Sequence, residues 1–274
     1  MSGRVGFVGG GVMGEAMIRG LLGRGCVEAG QIVVSDPVEE RRVALSERYL
    51  VATTTDNRGL AAEVDIVIIA VKPQQIDEVL NDLRGRLGQE TLVLSIAAGV
   101  PIRKLVEGIG HDRVVRAIPN TPAQIGEGMA VWTATAAVSA SQRERAAEIL
   151  AGLGHERYVS NEDYLDMATA LSGSGPAYVF LFLEALIDAG VHIGLARPLA
   201  QELVLHTILG ATHMVQESGL HPAELRNQVT SPGGTTAAGL AELEAGRLRA
   251  VVDQAVRAAF ARSRELGSGN FTKS

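Results

Sequence analysis

Short apolar runs rich in β-branched residues alternate with helix-period segments from Val5 to about Tyr158. The runs predict strands over 4–9, 31–35, 65–71, 92–96, 113–118 and 128–133, and the segments between them predict helices near 12–24, 38–48, 74–85 and 141–152. Ile66-Val67-Ile68-Ile69-Ala70-Val71 contains no polar residue. A strand apolar on both faces must be covered on both, as in a parallel sheet between two helical layers. From about Asn161 the strand pattern stops and helical spacing takes over in 162–172, 176–193, 197–217, 235–245 and 247–267. Leu199, Leu203, Leu205, Ile208 and Leu209 illustrate it, with Pro198 at a first turn and Gly219 at a helix end. The pattern therefore predicts a doubly wound α/β domain with a mostly parallel sheet over 1–160, an all-α domain over 161–267, and a disordered tail at 268–274.

The helical segment 176–193, with Ala177, Val179, Phe180, Leu181, Phe182 and Leu183, is apolar almost all round and needs cover on every side. A second subunit supplies such cover, so the segment predicts an obligate dimer built through this half; the alternative is burial within one chain. Composition narrows the class. The chain has 274 residues, 46% of them hydrophobic, and no stretch reads as long and apolar enough to span a bilayer. The start lacks a basic segment followed by an apolar one, so no leader is expected. Cys26 is the single cysteine, which excludes an intrachain disulfide and a cysteine metal cluster. A net charge of −6 argues against a nucleic-acid surface, and the arginines at 247, 249, 257, 262 and 264 read as a solvated helix face. These features suit the cytoplasm.

Candidate chemistry begins at the N-terminus. The first run ends in Gly9-x-Gly11-x-x-Gly14 and a helical pattern follows directly. This is the strand–turn–helix of a Rossmann dinucleotide site: the first glycine makes the tight turn, the second admits the pyrophosphate, and the third lets helix and strand pack closely. Gly10, Val12 and Met13 complete the loop and the helix's first turn, whose N–H groups face the phosphates. Asp36, 22 residues past Gly14, is placed either to take a ribose 2′-OH or to act as a turn residue before Pro37. Ser35 is the alternative donor, toward a 2′-phosphate, with Arg41 or Arg42 supplying charge; the choice between NADPH and NADH stays open. Ala70-Val71-Lys72-Pro73 ends the central strand, where ligands bind in such sheets. Ser95-Ile96-Ala97-Ala98-Gly99-Val100 is a second strand tip whose small residues admit a flat ring, and Arg116-Ala117-Ile118-Pro119-Asn120-Thr121-Pro122 is a third, stiffened by proline. In the helical half, Leu171-Ser172-Gly173-Ser174-Gly175-Pro176-Ala177-Tyr178 suggests a close backbone crossing or a ligand contact. Thr230-Ser231-Pro232-Gly233-Gly234-Thr235-Thr236 opens a helix, either as a capping turn or as an anion site made of free N–H groups that suits a carboxylate.

Taken in order, AVKP at 70–73, SIAAGV at 95–100, RAIPNTPA at 116–123, LSGSGPAY at 171–178 and TSPGGTT at 230–236 resemble the pyrroline-5-carboxylate reductase family from Val5 to about Leu266. The resemblance implies a Rossmann domain, a helical dimerisation domain, and reduction of 1-pyrroline-5-carboxylate to L-proline by NADPH or NADH. It also implies a homodimer through the C-terminal helices and a ring of five dimers. By the same resemblance Gly9 to Gly14 hold the pyrophosphate, and Ser35 and Asn57 stand near the adenosine ribose or its phosphate. Ala70, Val71, Lys72, Pro73, Ala97 and Ala98 line the cofactor, and Glu162 is a substrate-contacting acid. Ser231, Gly233, Gly234, Thr235 and Thr236 form the carboxylate and imine site, with Thr236 as the catalytic hydrogen-bonding group. Gln228 stands where some members have Asn.

Four rival readings have discriminating features. A β-hydroxyacid dehydrogenase needs a lysine acid/base in the helical domain, yet none occurs between Lys104 and Lys273. A general imine reductase turns over imines that lack a carboxylate. A dinucleotide sensor has no use for SPGGTT at a helix start. A metal site on His192, His206 and His213 is disfavoured, because only the latter two share a helix and they lie seven apart.

Overall fold

The computed structural model describes residues 3–267; the tail at 268–274 lies outside them. The described residues divide into two compact units. One runs to Ser174 and resumes at Ala259; the other spans Gly175–Ala258.

The first unit is built on an eight-stranded sheet. In chain order it contains β1 (Val5–Val8), α1 (Val12–Gly23), β2 (Ile32–Ser35), α2 (Glu39–Tyr49), β3 (Ala52–Thr54), α3 (Asn57–Glu63), β4 (Ile66–Ile69) and α4 (Ile76–Leu83). Next come β5 (Leu92–Ser95), α5 (Ile102–Ile109), β6 (Val114–Ile118), β7 (Gly128–Ala134), α6 (Ala140–Ala151), β8 (Gly154–Tyr158) and α7 (Asp163–Ala168). The sheet order is β3-β2-β1-β4-β5-β6-β7-β8. All neighbours are parallel except β6 and β7, which run antiparallel through Ile118↔Val131 and Arg116↔Thr133. A short proline-containing turn at Thr121–Ile125 joins them and cannot make the crossover a parallel pair requires.

The unbroken apolar β4 is explained by the two cores. Ile66 and Ile68 join Phe7, Met17 and Leu21 on one face, whereas Val67 and Ile69 join Leu60, Leu80 and Leu83 on the other. Burying each such side chain is worth about 1.5–3 kcal/mol, which makes the register hard to slip. That register sets Val8 beside Ser35 and Ile69, and Ile69 beside Ser95. The carboxyl ends of β2, β1, β4 and β5 thus share one edge, with the switch in strand order between β1 and β4. β3, β8, α3 and α5 were not predicted. β3 is a three-residue strand at one edge, and β8 (Gly-His-Glu-Arg-Tyr) is polar because it forms the other.

α7 packs against β6 and β7 with Leu165 fully buried, which is why the first unit extends past residue 160. A π-helical segment, Thr169–Gly173, leads into α8 (Gly175–His192) of the second unit. Asp163–His192 is thereby one helical run of 30 residues in which an 18-residue window has a mean hydropathy of 1.4, long and apolar enough by length and composition to cross a membrane. This corrects the sequence expectation, which read separate helices over 162–172 and 176–193 and no stretch long and apolar enough to span a bilayer.

The second unit also contains α9 (Arg197–Ser218), α10 (Pro222–Gln228), α11 (Thr235–Ala245) and most of α12 (Leu248–Gly267). α10, not predicted, is started by His221, whose Nδ1 accepts the Ala223 N–H at 3.1 Å. α8 has no buried residue, and Phe180, Leu181, Leu203 and Leu209 are exposed by 50% or more.

Candidate active site

The glycine-rich loop is held by its neighbours rather than by its own contacts. Gly9 N–H donates to the Ser35 carbonyl at 2.8 Å, and Ala70 N–H donates to the Val8 carbonyl at 2.8 Å. Gly9 has φ +100, open to glycine, and a Cβ there would lie 2.8 Å from the Ala70 carbonyl oxygen. A Cβ at Gly14 would lie 2.5 Å from the Gly9 carbonyl oxygen. At Gly11, by contrast, nothing lies within 4 Å. Gly11 and Val12 are exposed, Met13 is half-buried, and Gly11 starts α1 without any side-chain cap. The loop therefore offers open backbone and free helix N–H groups where a pyrophosphate would lie, so these residues fit a dinucleotide.

Asp36 is buried against this loop. Its Oδ2 accepts the Gly10 N–H at 2.8 Å and its Oδ1 accepts the Val38 N–H at 2.9 Å. Ser35 is buried beside it at the end of β2. The Arg41 guanidinium donates to the Gly10 carbonyl and to Glu15, which also accepts from Arg48 at 2.8 Å and the Tyr49 hydroxyl at 3.0 Å. Burial alone would raise the Glu15 carboxyl, but Arg41, Tyr49 and Arg48 outweigh it and hold the group below its ordinary value of 4.5. Burial and the Glu15 carboxylate together push the Tyr49 phenol up. Asn57 opens α3, and its side-chain amide donates to Asp82 at 3.1 Å.

Farther along the same edge, Ala70 and Val71 are half-buried, Lys72 is exposed, and Pro73 begins the turn that stops the strand. Ala97 is buried while Ala98 is exposed, so Ala98 presents the small surface of this tip. Glu162 Oε1 accepts the Ile102 N–H at 2.7 Å and pairs with Arg116 of β6. Arg116 is only 3% exposed, its second arm lies 3.7 Å from Asp166, and its Nε is buried without a hydrogen-bond partner. Neither Arg116 nor Asp166 was singled out by role from the sequence. The available signal was a charged residue inside the buried strand Val-Val-Arg-Ala-Ile.

Ser231, Gly233, Gly234, Thr235 and Thr236 come together in the second unit, at the start of α11. Gly233 has φ +69 and reverses the chain. Gly234 N–H donates to the Ser231 carbonyl at 3.1 Å, and a Cβ on Gly234 would fall 2.4 Å from Ser231 Oγ. No side chain caps this helix start. Its first N–H groups are free for an anion, and the half-buried Thr236 brings a hydroxyl to the same turn. Among the described residues no group of three or more His, Cys, Asp or Glu could hold a metal ion.

Two family models match the chain. One, described as pyrroline-5-carboxylate reductase dimerisation, covers residues 162–266; the other, described as NADP oxidoreductase coenzyme F420-dependent, covers 4–99. A pyrroline-5-carboxylate reductase of Synechocystis is 42% identical over 267 residues, covering 97% of this chain and 99% of the relative. One of Arabidopsis thaliana is 40% identical and covers 96% and 95%. Among solved structures, a Plasmodium falciparum pyrroline carboxylate reductase with NADP bound is 35% identical with a TM-score of 0.88, covering 97% and 98%. A Coxiella burnetii pyrroline-5-carboxylate reductase is 37% identical with a TM-score of 0.89, covering 97% and 99%.

Proposed function

This chain belongs to the pyrroline-5-carboxylate reductase family, and we propose that it is an oxidoreductase that reduces 1-pyrroline-5-carboxylate to L-proline with NADPH or NADH. The observation that carries the reading is the start of α11. An uncapped helix N-terminus behind Gly233-Gly234, with a threonine in its first turn, matches a small ring bearing a carboxylate beside a basic nitrogen.

When bound, the reduced nicotinamide supplies a hydride to the imine carbon. The chain's residues do the rest. The N–H groups at Thr235 and Thr236 hold the carboxylate, while the Gly234 N–H is engaged by the Ser231 carbonyl and Ser231, Gly233 and Gly234 shape the turn. The Thr236 hydroxyl hydrogen-bonds the ring nitrogen and keeps its proton in place. Gly9 to Gly14 hold the pyrophosphate on the α1 dipole, the Ala70–Pro73 tip flanks it, and Ala98 leaves room for a flat ring. Asp36 is engaged by Gly10 and Val38, and Arg41 of α2 donates to the Gly10 carbonyl of the same loop. No free carboxylate then opposes a ribose 2′-phosphate, which favours NADPH. Orientation of two bound reactants carries most of the acceleration, an effect that supplies roughly 7–11 kcal/mol in favourable cases.

The exposed apolar faces of α8 and α9 are covered in a homodimer, and the family reading extends this to a ring of five dimers in the cytoplasm. Steady-state oxidation of each reduced nicotinamide with pyrroline-5-carboxylate tests the proposal. Turnover with a preference for NADPH is expected. Tight cofactor binding without turnover, or equal turnover on imines lacking a carboxylate, would sink it.

A further inference from the structure

We infer that Glu162 is a positioning residue for the nicotinamide end of the cofactor site and acts through Ile102 and Arg116 instead of touching substrate. The inference rests on the reading above, in which the Ser95–Val100 tip borders the nicotinamide.

The segment from Ile96 to Pro101 is tied at both ends. Ile96 N–H donates to the Ile69 carbonyl of β4 at 3.0 Å. At the far end α5 begins at Ile102, and its preceding residue is Pro101, which has no side-chain group to cap it. The cap comes from Glu162, 60 residues away, at 2.7 Å from the Ile102 N–H. A carboxylate there is favoured by the helix dipole and satisfies one orphan donor. Its negative charge is balanced by Arg116, which is buried in β6 and also approaches Asp166. Asp166 in turn accepts from the buried Ser263 hydroxyl at 3.0 Å, and a Cβ at Gly99 would meet Leu266 at 3.3 Å. The last turns of α12 thus close on the tip that Glu162 fixes. Retaining a buried arginine whose Nε has no partner is costly unless the pair serves a purpose. With Glu162 Oε1 committed to Ile102 and Arg116, setting the tip that bears Ala97 and Ala98 is a purpose the geometry supports.

The test compares the unmodified protein with Glu162→Ala and Glu162→Gln. Two probes are titrated by calorimetry: NADPH, and 2′-phospho-ADP-ribose, which lacks the nicotinamide. Loss of a helix cap through Glu162→Ala is expected to weaken NADPH about fivefold to tenfold and to leave the truncated probe within about twofold. KM for pyrroline-5-carboxylate stays within about twofold. Glu162→Gln keeps a carbonyl for Ile102, while Asp166 still faces Arg116, so NADPH affinity returns to within about threefold of the unmodified protein. A large rise in KM for pyrroline-5-carboxylate with NADPH affinity unchanged would overturn the inference, as would equal losses for both probes or a Glu162→Gln variant as weak as Glu162→Ala. An unmodified protein that binds NADPH but turns over no pyrroline-5-carboxylate would remove the functional reading while leaving this binding comparison intact.

Discussion

Gly10 and Asp36 are joined by a buried hydrogen bond of 2.8 Å from a backbone amide to a carboxylate, and the second carboxylate oxygen is taken by Val38. Asp36 sits where a ribose-binding acid stands in many dinucleotide folds, yet here it shapes the glycine-rich loop. Removing it leaves a buried N–H unpaired, at a cost of about 1–3 kcal/mol. Asp36→Ala is therefore expected to weaken NADPH and NADH alike and to leave the ratio of their kcat/KM values within about twofold. Steady-state kinetics with both nicotinamides measures this. A tenfold shift toward NADPH would mean that the carboxylate reaches the ribose after all.

Gly11 and Gly14 separate ligand space from packing space. Gly14→Ala forces a methyl against the Gly9 carbonyl, and overpacking of this kind costs about 1–3 kcal/mol. Gly11→Ala meets nothing within 4 Å, so its thermal midpoint should stay put, while its methyl fills the approach to the pyrophosphate. Calorimetry is expected to show a normal melt with NADPH affinity down by about tenfold or more for Gly11→Ala, and a lowered melt for Gly14→Ala. The opposite assignment would contradict the loop's fit to a dinucleotide.

The sheet was legible wherever burial was two-sided. β4 and β5 are buried throughout, so their apolar runs had no competing reading. β3 and β8 were missed because edge strands carry polar residues, and α5 because the glutamate that caps it is remote in sequence. The strand–turn–helix around Gly9–Gly14 and the start of α11 were readable because glycine spacing records backbone geometry directly. Asp36 shows the limit: its position marked it as important, but whether its carboxylate met a ribose or an amide depended on where Gly10 came to lie. Arg116, Glu162 and Asp166 required three distant segments to be brought together.

Glu15 joins α1 to α2 through Arg41, Arg48 and Tyr49, and its depressed carboxyl makes that link sensitive to pH. A group with a lower folded than unfolded pKa stabilises fully above the unfolded value and loses that contribution as pH falls through the folded one. Glu15→Gln is thus expected to cost about 1 kcal/mol between pH 7 and about pH 5. The gap to the unmodified protein should then narrow as pH drops below the ordinary value of 4.5. Urea denaturation across this range checks the trend. A gap that widens toward acid would reverse the sign of the argument.

Thr236 is assigned a hydrogen bond to the ring nitrogen, not a proton relay. Because orientation carries most of the barrier reduction, Thr236→Ala is expected to lower kcat by about tenfold to a hundredfold, at or under the usual general-acid contribution of about 10²–10⁴. Thr236→Ser retains the hydroxyl and should recover most of the activity. Single-turnover hydride transfer gives the cleanest reading, since product release does not enter. A million-fold loss would show that the hydroxyl does far more than hold a proton in place.

Leu181 lies on α8, 67% exposed in the single chain and inside the region matched to the family's dimerisation model. In the free chain a glutamate there faces water, so Leu181→Glu should fold normally. In the dimer it would be buried without a partner, and an unpaired buried charge costs several kcal/mol, or roughly a hundredfold or more in the dissociation constant. Sedimentation velocity at micromolar concentration is expected to show a dimer for the unmodified protein and a monomer for the variant, with far-ultraviolet circular dichroism unchanged. A variant that sediments as the unmodified protein does would move the subunit contact off this face of α8.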